Sequence, residues 1–291
     1  MINILVTGAN GQLGNELKEV NKKYNQIGES QANFIFTDID TLDISNSIFL
    51  KKFFQDNKID YVINCAAYTN VDLAEKEAEK AYEINAQCVE NIISAIKPYH
   101  IKFIHISTDY VFNGKSYIPY TEEMQGNPNS VYGKSKLEGE KIALNYPETI
   151  VIRTSWLYSS FGKNFAKTIY KLCSEREELN VVFDQIGTPT YARDLAFAIF
   201  KIIEQSVTHN NFKPGIYHYS NEGVCSWYDF ARAIALKSYS KCKIKPIETK
   251  NYPTPAQRPF YSILNKNKIK SVYKINIPHW QDSFDDFFME I

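Results

Sequence analysis

The chain lacks a surplus of either charge: 33 basic and 33 acidic residues cancel over 291 positions, giving a pI near 7. A protein that coats nucleic acid needs a positive excess to neutralise phosphates, so that class is excluded. Cysteine is scarce and scattered. Cys65, Cys88, Cys173, Cys225 and Cys242 form no CxxC pair, which argues against a disulfide framework and a zinc site. His100, His105, His209, His218 and His279 show neither HxxxH nor HExxH spacing, so they read as structural or surface residues and no metal is expected. Long apolar runs are missing too, and nothing approaches the roughly 18 residues of a membrane helix. The first residues, Met1-Ile2-Asn3-Ile4-Leu5-Val6, enter a strand without the basic and apolar regions of a secretory leader. A cytoplasmic protein with no membrane partner is expected. What is present is apolar bulk: 44% hydrophobic residues, with 20 Tyr and 18 Phe, enough for a sizeable core and incompatible with disorder. The length suits one large or two modest domains.

The first half alternates short apolar runs with helical spacing. Ile4–Val6, Phe34–Thr37, Tyr61–Cys65 and Lys102–Ile106 suit buried parallel strands, separated by Leu13/Leu17/Val20, Ile48/Phe53 and a helical stretch from Ala74 to about Lys97, closed by Pro98. This rhythm predicts an α/β fold with a Rossmann-like, doubly wound parallel sheet. Thr149–Arg153 and Leu179–Phe183 read as further strands of that sheet, with helices over Asn164–Glu177 and Ala192–Glu204. From about Phe212 the rhythm changes. A strand at Gly215–Tyr219 leads to Ser226, a candidate cap for a helix Trp227–Lys237, then to a Lys-rich strand near Ile244–Ile247 and the proline-punctuated loop Asn251–Pro259. The expected division is a cofactor domain over residues 1–153, with about 179–206 returning to it, and a smaller mixed α/β substrate domain over about 154–178 and 207–291. Trp280, Phe284, Phe287 and Phe288 predict a final amphipathic helix, its acidic residues Asp282, Asp285, Asp286 and Glu290 facing out.

Strand one ends in Thr7-Gly8-Ala9-Asn10-Gly11-Gln12-Leu13-Gly14. Glycines at 8, 11 and 14 permit a tight turn, close approach of the backbone to a diphosphate and close helix–strand packing, with free helix N–H groups facing the anion. Asp38, at the end of the second strand, reads equally as an acceptor for ribose hydroxyls, which favours NADH, or as a solvated strand end. The GxxGxxG spacing, Asn64-Cys65-Ala66-Ala67-Tyr68 and Asn85 resemble the extended short-chain dehydrogenase/reductase superfamily, in which small Ala66 and Ala67 would let a dinucleotide pass close to a strand end.

Ser130-Val131-Tyr132-Gly133-Lys134-Ser135-Lys136 places Tyr132 and Lys136 on one helix face. A free tyrosine, with a pKa near 10, exchanges protons poorly at neutral pH, and a neighbouring cation favours its phenolate. Lowering that value by about 3 units needs about 4 kcal/mol, whereas one charge at about 4 Å in bulk water supplies about 1, so a desolvated site is required. Thr108, in Ser107-Thr108-Asp109-Tyr110, would complete a Thr–Tyr–Lys constellation around a carbonyl oxygen.

Longer stretches then resemble the dTDP-4-dehydrorhamnose reductase family over nearly the whole chain: TGANGQLG (7–14), NCAAYTNVDLAE (64–75), ISTDYVFNG (106–114), YGKSKLEGE (132–140), RTSWLYSSFGKNF (153–165), DQIGTPTYARDLA (184–196) and SNEGVCSWYDFARAIA (220–235). An ARPxxS motif appears with Gln257 in place of its alanine, followed by Arg258-Pro259. The resemblance implies hydride transfer from NADPH or NADH to C4 of a dTDP-4-keto sugar, with Tyr132 donating the proton, Lys136 binding the nicotinamide ribose and lowering the Tyr132 pKa, and Thr108 tuning the carbonyl. It places cofactor contacts at Gly11, Gln12, Leu13, Asp43, Ile44, Ala66, Ala67 and Tyr68, and substrate contacts at Asp109 and Trp156. Arg258 suits the substrate diphosphate, Trp156 reads equally as packing, and Trp227 reads as core or domain packing. Tyr110 stands where nucleotide-sugar dehydratases carry glutamate, so elimination lacks its base. Epimerisation, reduction of another 6-deoxy sugar and a non-catalytic regulatory role stay as alternatives. A monomer or homodimer is implied. A magnesium-bridged dimer is doubtful, because Glu16 occupies one ligand place while Arg193 stands in another, and Asp194 should point elsewhere.

Overall fold

The computed structural model describes all 291 residues. Six parallel strands form the centre: β1 (Ile2–Thr7), β3 (Ser30–Phe36), β4 (Tyr61–Asn64), β5 (Lys102–Thr108), β6 (Thr149–Thr154) and β11 (Gly215–His218). A short β2 (Gln26–Ile27) adds one antiparallel edge, giving the order β11-β6-β5-β4-β1-β3-β2. Counted along the parallel strands, the order is 2-1-3-4-5-6. The chain therefore leaves β1 on one side for β3 and on the other for β4, and the C-terminal crevice between β1 and β4 is the switch point where ligands enter open α/β sheets.

Helices cover both faces, which is why β4 and β6 are buried throughout. On one face α8 (Ala192–His209) packs against both α1 (Gln12–Lys23) and α10 (Asn267–Tyr273), around Leu17, Val20, Ile104, Ile199 and Tyr273. On the other, α2 (Ser47–Asp56), α5 (Cys88–Ile96) and α6 (Val131–Leu144) bury Leu50, Phe54, Ile92 and Ala143. The helical stretch expected from Ala74 to about Lys97 is broken: α3 (Val71–Ala74), α4 (Ala78–Tyr82), a π-turn over Glu83–Gln87, α5 and a 3-10 turn at Lys97–Tyr99. The π-turn carries Asn85, whose side chain grips the Tyr68 backbone, and such bulges gather where a side chain must be re-aimed.

Two strand assignments are corrected. Leu179–Phe183 does not join the main sheet. Instead β8 (Glu178–Val182) pairs in parallel with β13 (Lys243–Ile247) in a two-stranded sheet. Glu178 and Asn180 are exposed while Leu179, Val181 and Val182 are buried, and a strand sandwiched between two helix layers would not carry that half-solvated face. Conversely β11, assigned to the substrate unit, closes the main sheet beside β6, delivered by α8 as the crossover. The expected division shifts accordingly: α8, β11 and α10 pack on the cofactor sheet. The second unit is α7 (Phe165–Glu175), β8, α9 (Trp227–Lys237), β13 and α11 (Trp280–Phe288).

Ser226 caps α9 as its sequence suggests, in a reciprocal capping box with Asp229. In α11, Trp280, Phe284 and Phe287 are buried, Phe288 is half-buried and Asp282, Asp285 and Asp286 face outward, while Glu290 follows the helix end. Four two-residue strands complete the seam: β7 (Leu157–Tyr158) with β10 (Thr190–Tyr191), and β9 (Ile186–Gly187) with β12 (Cys225–Ser226). No helix is long and apolar enough to cross a membrane.

Candidate active site

The crevice between β1 and β4 opens into a cleft of about 1090 Å³ that runs along the C-terminal ends of the strands to the seam with the second unit. It lies at the upper end of small-molecule sites, near 1,000 Å³.

At one end stands the glycine turn. Gly8 has a φ of +65°, and a Cβ there would sit 2.6 Å from the Ala66 nitrogen, so both backbone conformation and space demand glycine. A Cβ on Gly14 would lie 2.5 Å from the Ala9 Cα, so α1 packs on the turn without a side chain between. Gly11 caps α1 with no side-chain bond, which leaves the first helix N–H groups for a ligand. This cradle fits a dinucleotide diphosphate: a bare helix start, a backbone no side chain covers, and an open cleft in front. Leu13 is buried in the core, so only its backbone can serve. The Gln12 side chain accepts a bond from Asn164 across the seam at 2.9 Å.

Asp38 lines the same end. Its carboxylate accepts backbone N–H groups from Asn10 and Ile39, both at 2.9 Å, so it is a fixed anchor of the turn as well as a strand end. Asp43, Ile44, Ala66 and Ala67 also line the cleft. Tyr68 does not: its ring packs with Ala74, Ala81 and Tyr132, and its hydroxyl donates to Glu77 at 2.8 Å. The assignment of Tyr68 to the cofactor is corrected to that extent. Its backbone, clamped by Asn85, fixes the strand end, and Asn85 also donates to Ser135 on α6 at 3.0 Å.

In the middle, β5 and α6 bring Thr108, Tyr132 and Lys136 together. Ser130 caps α6 by accepting from the Gly133 N–H at 3.1 Å, which sets the phase placing Tyr132, Lys136 and Glu140 on the buried face. Glu140 is anchored by a buried bidentate pair with Arg153 and by the Ser107 hydroxyl at 2.5 Å. Burial pushes the Tyr132 pKa up, opposed in part by the Thr108 side chain beside it. The Lys136 ammonium donates to the Ile106 carbonyl at 2.6 Å, and burial lowers its pKa to about 8. Desolvation is the largest influence on Tyr132, so the tyrosine holds its proton. Asp109, 3% exposed, accepts from the Thr108 hydroxyl at 3.0 Å and leaves its other oxygen without a partner. Burial raises its pKa to about 6.

At the far end Trp156 and Trp227 lie face to face, 3.5 Å between ring centroids, with Phe165 4.4 Å from Trp227. All three line the cleft, so Trp227 is a wall residue and not merely domain packing. Trp156 has a φ of +48°, strained for a bulky side chain, and such outliers gather at functional sites. Tyr110 also lines the cleft, edge-on to Tyr132 at 5.5 Å. Neither Tyr110 nor Phe165 stood out in the sequence as a wall residue, and only their adjacency to Asp109 and to the Lys163-Asn164 pair hinted at it. Arg258 lies beside the cleft and does not line it. Its guanidinium bonds the Tyr110 hydroxyl at 3.1 Å and Asp72 at 2.5 Å.

Away from the cleft, Arg193 sits between Glu16 and Glu290, donating to the first at 3.0 Å and to both oxygens of the second. Asp194 turns to Asn221 and Ser283. His105 and His218 are fully buried, and burial lowers the pKa of each.

Comparison with known proteins agrees with this geometry. A family model described as RmlD substrate binding domain matches residues 2–291. The chain is 38% identical over 288 residues to the dTDP-4-dehydrorhamnose reductase of Aggregatibacter actinomycetemcomitans, covering 97% of this chain and 96% of that one. It is 40% identical over 293 residues to the spore coat polysaccharide biosynthesis protein SpsK of Bacillus subtilis, covering 100% and 98%. A crystal structure of dTDP-4-dehydrorhamnose reductase from Bacillus anthracis, in complex with NADP, superposes with a TM-score of 0.92 at 38% identity and full coverage of both chains.

Proposed function

Since the chain belongs to the dTDP-4-dehydrorhamnose reductase family, we propose that it reduces the C4 keto group of dTDP-4-dehydro-β-L-rhamnose to give dTDP-L-rhamnose. NADPH or NADH, when bound, supplies the hydride. The observation that carries this reading is the convergence of Thr108, Tyr132 and Lys136 midway along a cleft whose one end is the glycine cradle and whose other end is aromatic.

In this reading Tyr132 delivers the proton to the developing alkoxide. Its raised pKa suits a donor, because the hydroxyl stays protonated until the substrate oxygen becomes the stronger base. Thr108 lies beside Tyr132 and donates to Asp109, so it stands between the hydroxyl and the carboxylate. Lys136 holds its ammonium within the cleft, positioned to steady the nicotinamide ribose. Gly8, Gly11, Gln12, Leu13 and Gly14 hold the cofactor diphosphate, with Asp38, Asp43 and Ile44 towards the adenosine. Trp156 and Asp109 hold the sugar, and Arg258 takes the substrate diphosphate. The product is a precursor for cell-surface polysaccharide, made in the cytoplasm by a monomer or homodimer. Arg193, seated between Glu16 and Glu290, disfavours a magnesium bridge there, because a guanidinium cannot ligate the ion.

The test is Tyr132→Phe with dTDP-4-dehydro-6-deoxyglucose, the upstream 3,5-epimerase and each reduced cofactor. Sugar-dependent oxidation should fall at least about a hundredfold while cofactor affinity is kept, a loss typical of removing a positioned acid. Retained turnover in the variant would remove Tyr132 from its role. NMR of a wild-type product other than dTDP-L-rhamnose would overturn the substrate.

A further inference from the structure

One ion pair touches the cleft from behind its wall. Arg258, on the loop Asn251–Pro259, reaches the Asp72 carboxylate at 2.5 Å and the Tyr110 hydroxyl at 3.1 Å. Asp72 belongs to the first turn of α3, and its other oxygen accepts the Ala256 N–H at 3.2 Å, with Ala256 fully buried. Just past the same short helix, Glu75 accepts the Val131 N–H at 2.9 Å, at the start of α6. Val71, next to Asp72, lines the cleft, as does Tyr110. Asp72 thus grips the loop by two points, a backbone N–H and a guanidinium, at the edge of the site where a nucleotide sugar would lie.

The charges at this edge do not suit a diphosphate as they stand. The one arginine available is matched by a carboxylate, so an arriving dianion meets a neutral pair with an anionic member. The pair is also half in water, with 22% of the Arg258 side chain and 38% of the Asp72 side chain exposed. Ion pairs of that exposure are weak and easily exchanged, whereas a guanidinium fork matches phosphate oxygens closely. Exchange would not free the loop, because the Ala256 N–H stays on Asp72 when the guanidinium leaves.

We propose that Asp72 is a resident anion for Arg258, holding the guanidinium beside the cleft until the diphosphate of the nucleotide sugar takes it over, and so sets affinity for the nucleotide without touching the reacting atoms. This rests on the nucleotide-sugar reading above. It makes Asp72 a positioning residue. Tyr110, which shares Arg258 and lies against Tyr132, couples the exchange to the reaction centre.

Calorimetric titration with dTDP tests it, using wild type, Asp72→Asn, Arg258→Gln and the double variant, with NADPH titration as the control of the fold. Asn keeps an acceptor for Ala256 and removes the charge. Asp72→Asn should tighten dTDP about threefold to tenfold and lower the KM of the sugar nucleotide by a similar factor, with NADPH affinity held. Arg258→Gln should weaken dTDP at least tenfold, and in that background Asp72→Asn should change affinity by less than twofold. Asp72→Glu should return the affinity towards wild type. If Asp72→Asn leaves dTDP affinity unchanged or weaker while Arg258→Gln loses it, the resident-anion role is overturned and the nucleotide-sugar reading stands. If the wild-type protein binds NADPH but not dTDP, both fall together.

Discussion

The two ends of the cleft are built in opposite ways. The glycine cradle comes from one contiguous stretch, strand–turn–helix over residues 2–23, and its surface is mostly backbone, shaped by the absence of side chains at Gly8 and Gly14. The aromatic end is assembled from Tyr110, Trp156, Phe165 and Trp227, drawn from four separate segments, with Arg258 behind it, and its surface is mostly side chain. A wall made of backbone tolerates almost no change, because any added atom meets peptide that cannot rotate away. A wall made of aromatic rings and ion pairs can yield, so the enzyme should discriminate sharply on the cofactor diphosphate and more gradually on the sugar nucleotide.

Substitutions test that contrast. Gly8→Ala should have the largest effect. The φ of +65° and a 2.6 Å approach to Ala66 combine to cost about 3 kcal/mol, or roughly a hundredfold in affinity for both NADPH and NADH by fluorescence titration. An unchanged affinity would break the comparison at its firmest point.

Asp109→Asn separates stability from activity. The folded pKa of about 6 lies above the ordinary 3.8, so the ionised carboxylate is disfavoured in the fold. That penalty is absent below pH 4, grows between pH 4 and 6, and is full above pH 6, reaching roughly 3 kcal/mol. The variant should therefore melt higher than wild type at pH 8, with the gap closing near pH 4, while its turnover falls. A variant no more stable at pH 8 would show that the buried carboxylate is compensated.

At the yielding end, Trp227→Ala should raise the KM of the sugar nucleotide about tenfold, the value of one lost stacking partner, and leave the KM of NADPH alone. A rise in both would make the tryptophan pair part of the scaffold. The pH profile of kcat/KM gives the mildest effect. It should be bell-shaped, with an acid limb near 6 from Asp109 and a basic limb near 8, where Lys136 loses its proton. A flat profile from pH 6 to 9 would detach both groups from catalysis.

Legibility followed the same divide. The glycine turn could be read because Gly8 and Gly14 answer constraints set within a dozen residues. The phase of α6 could be read because Ser130, Tyr132 and Lys136 are fixed by one helix turn and its cap. The Ser226 cap and the apolar face of α11 were legible on the same grounds. Strand membership was less so. The run at 179–183 looked as apolar as a central strand, and only the exposure of Glu178 and Asn180 marks it as half-solvated. For Gly215–His218, nothing local says whether it borders β6 or a second sheet. Trp227 packs against the core of the second unit as its place at a helix start suggests, and only the fold shows that it also stacks on Trp156 at the cleft.

The sequence by itself determined the alternation of strand and helix, the bare start of α1 and the shared face of Tyr132, Lys136 and Glu140, because backbone sterics and helical periodicity act over a few residues. Tertiary structure alone decided which strand closed the sheet, that Lys136 rests on the Ile106 carbonyl, and that Arg258 is held by Asp72. These are outcomes of competition among partners distant in the chain, settled by burial and charge once the whole molecule is packed. The charge total shows the same limit. Its zero balance excludes a bulk polyanion, yet only the fold decides that a guanidinium on one loop meets a carboxylate on another beside a site for anions.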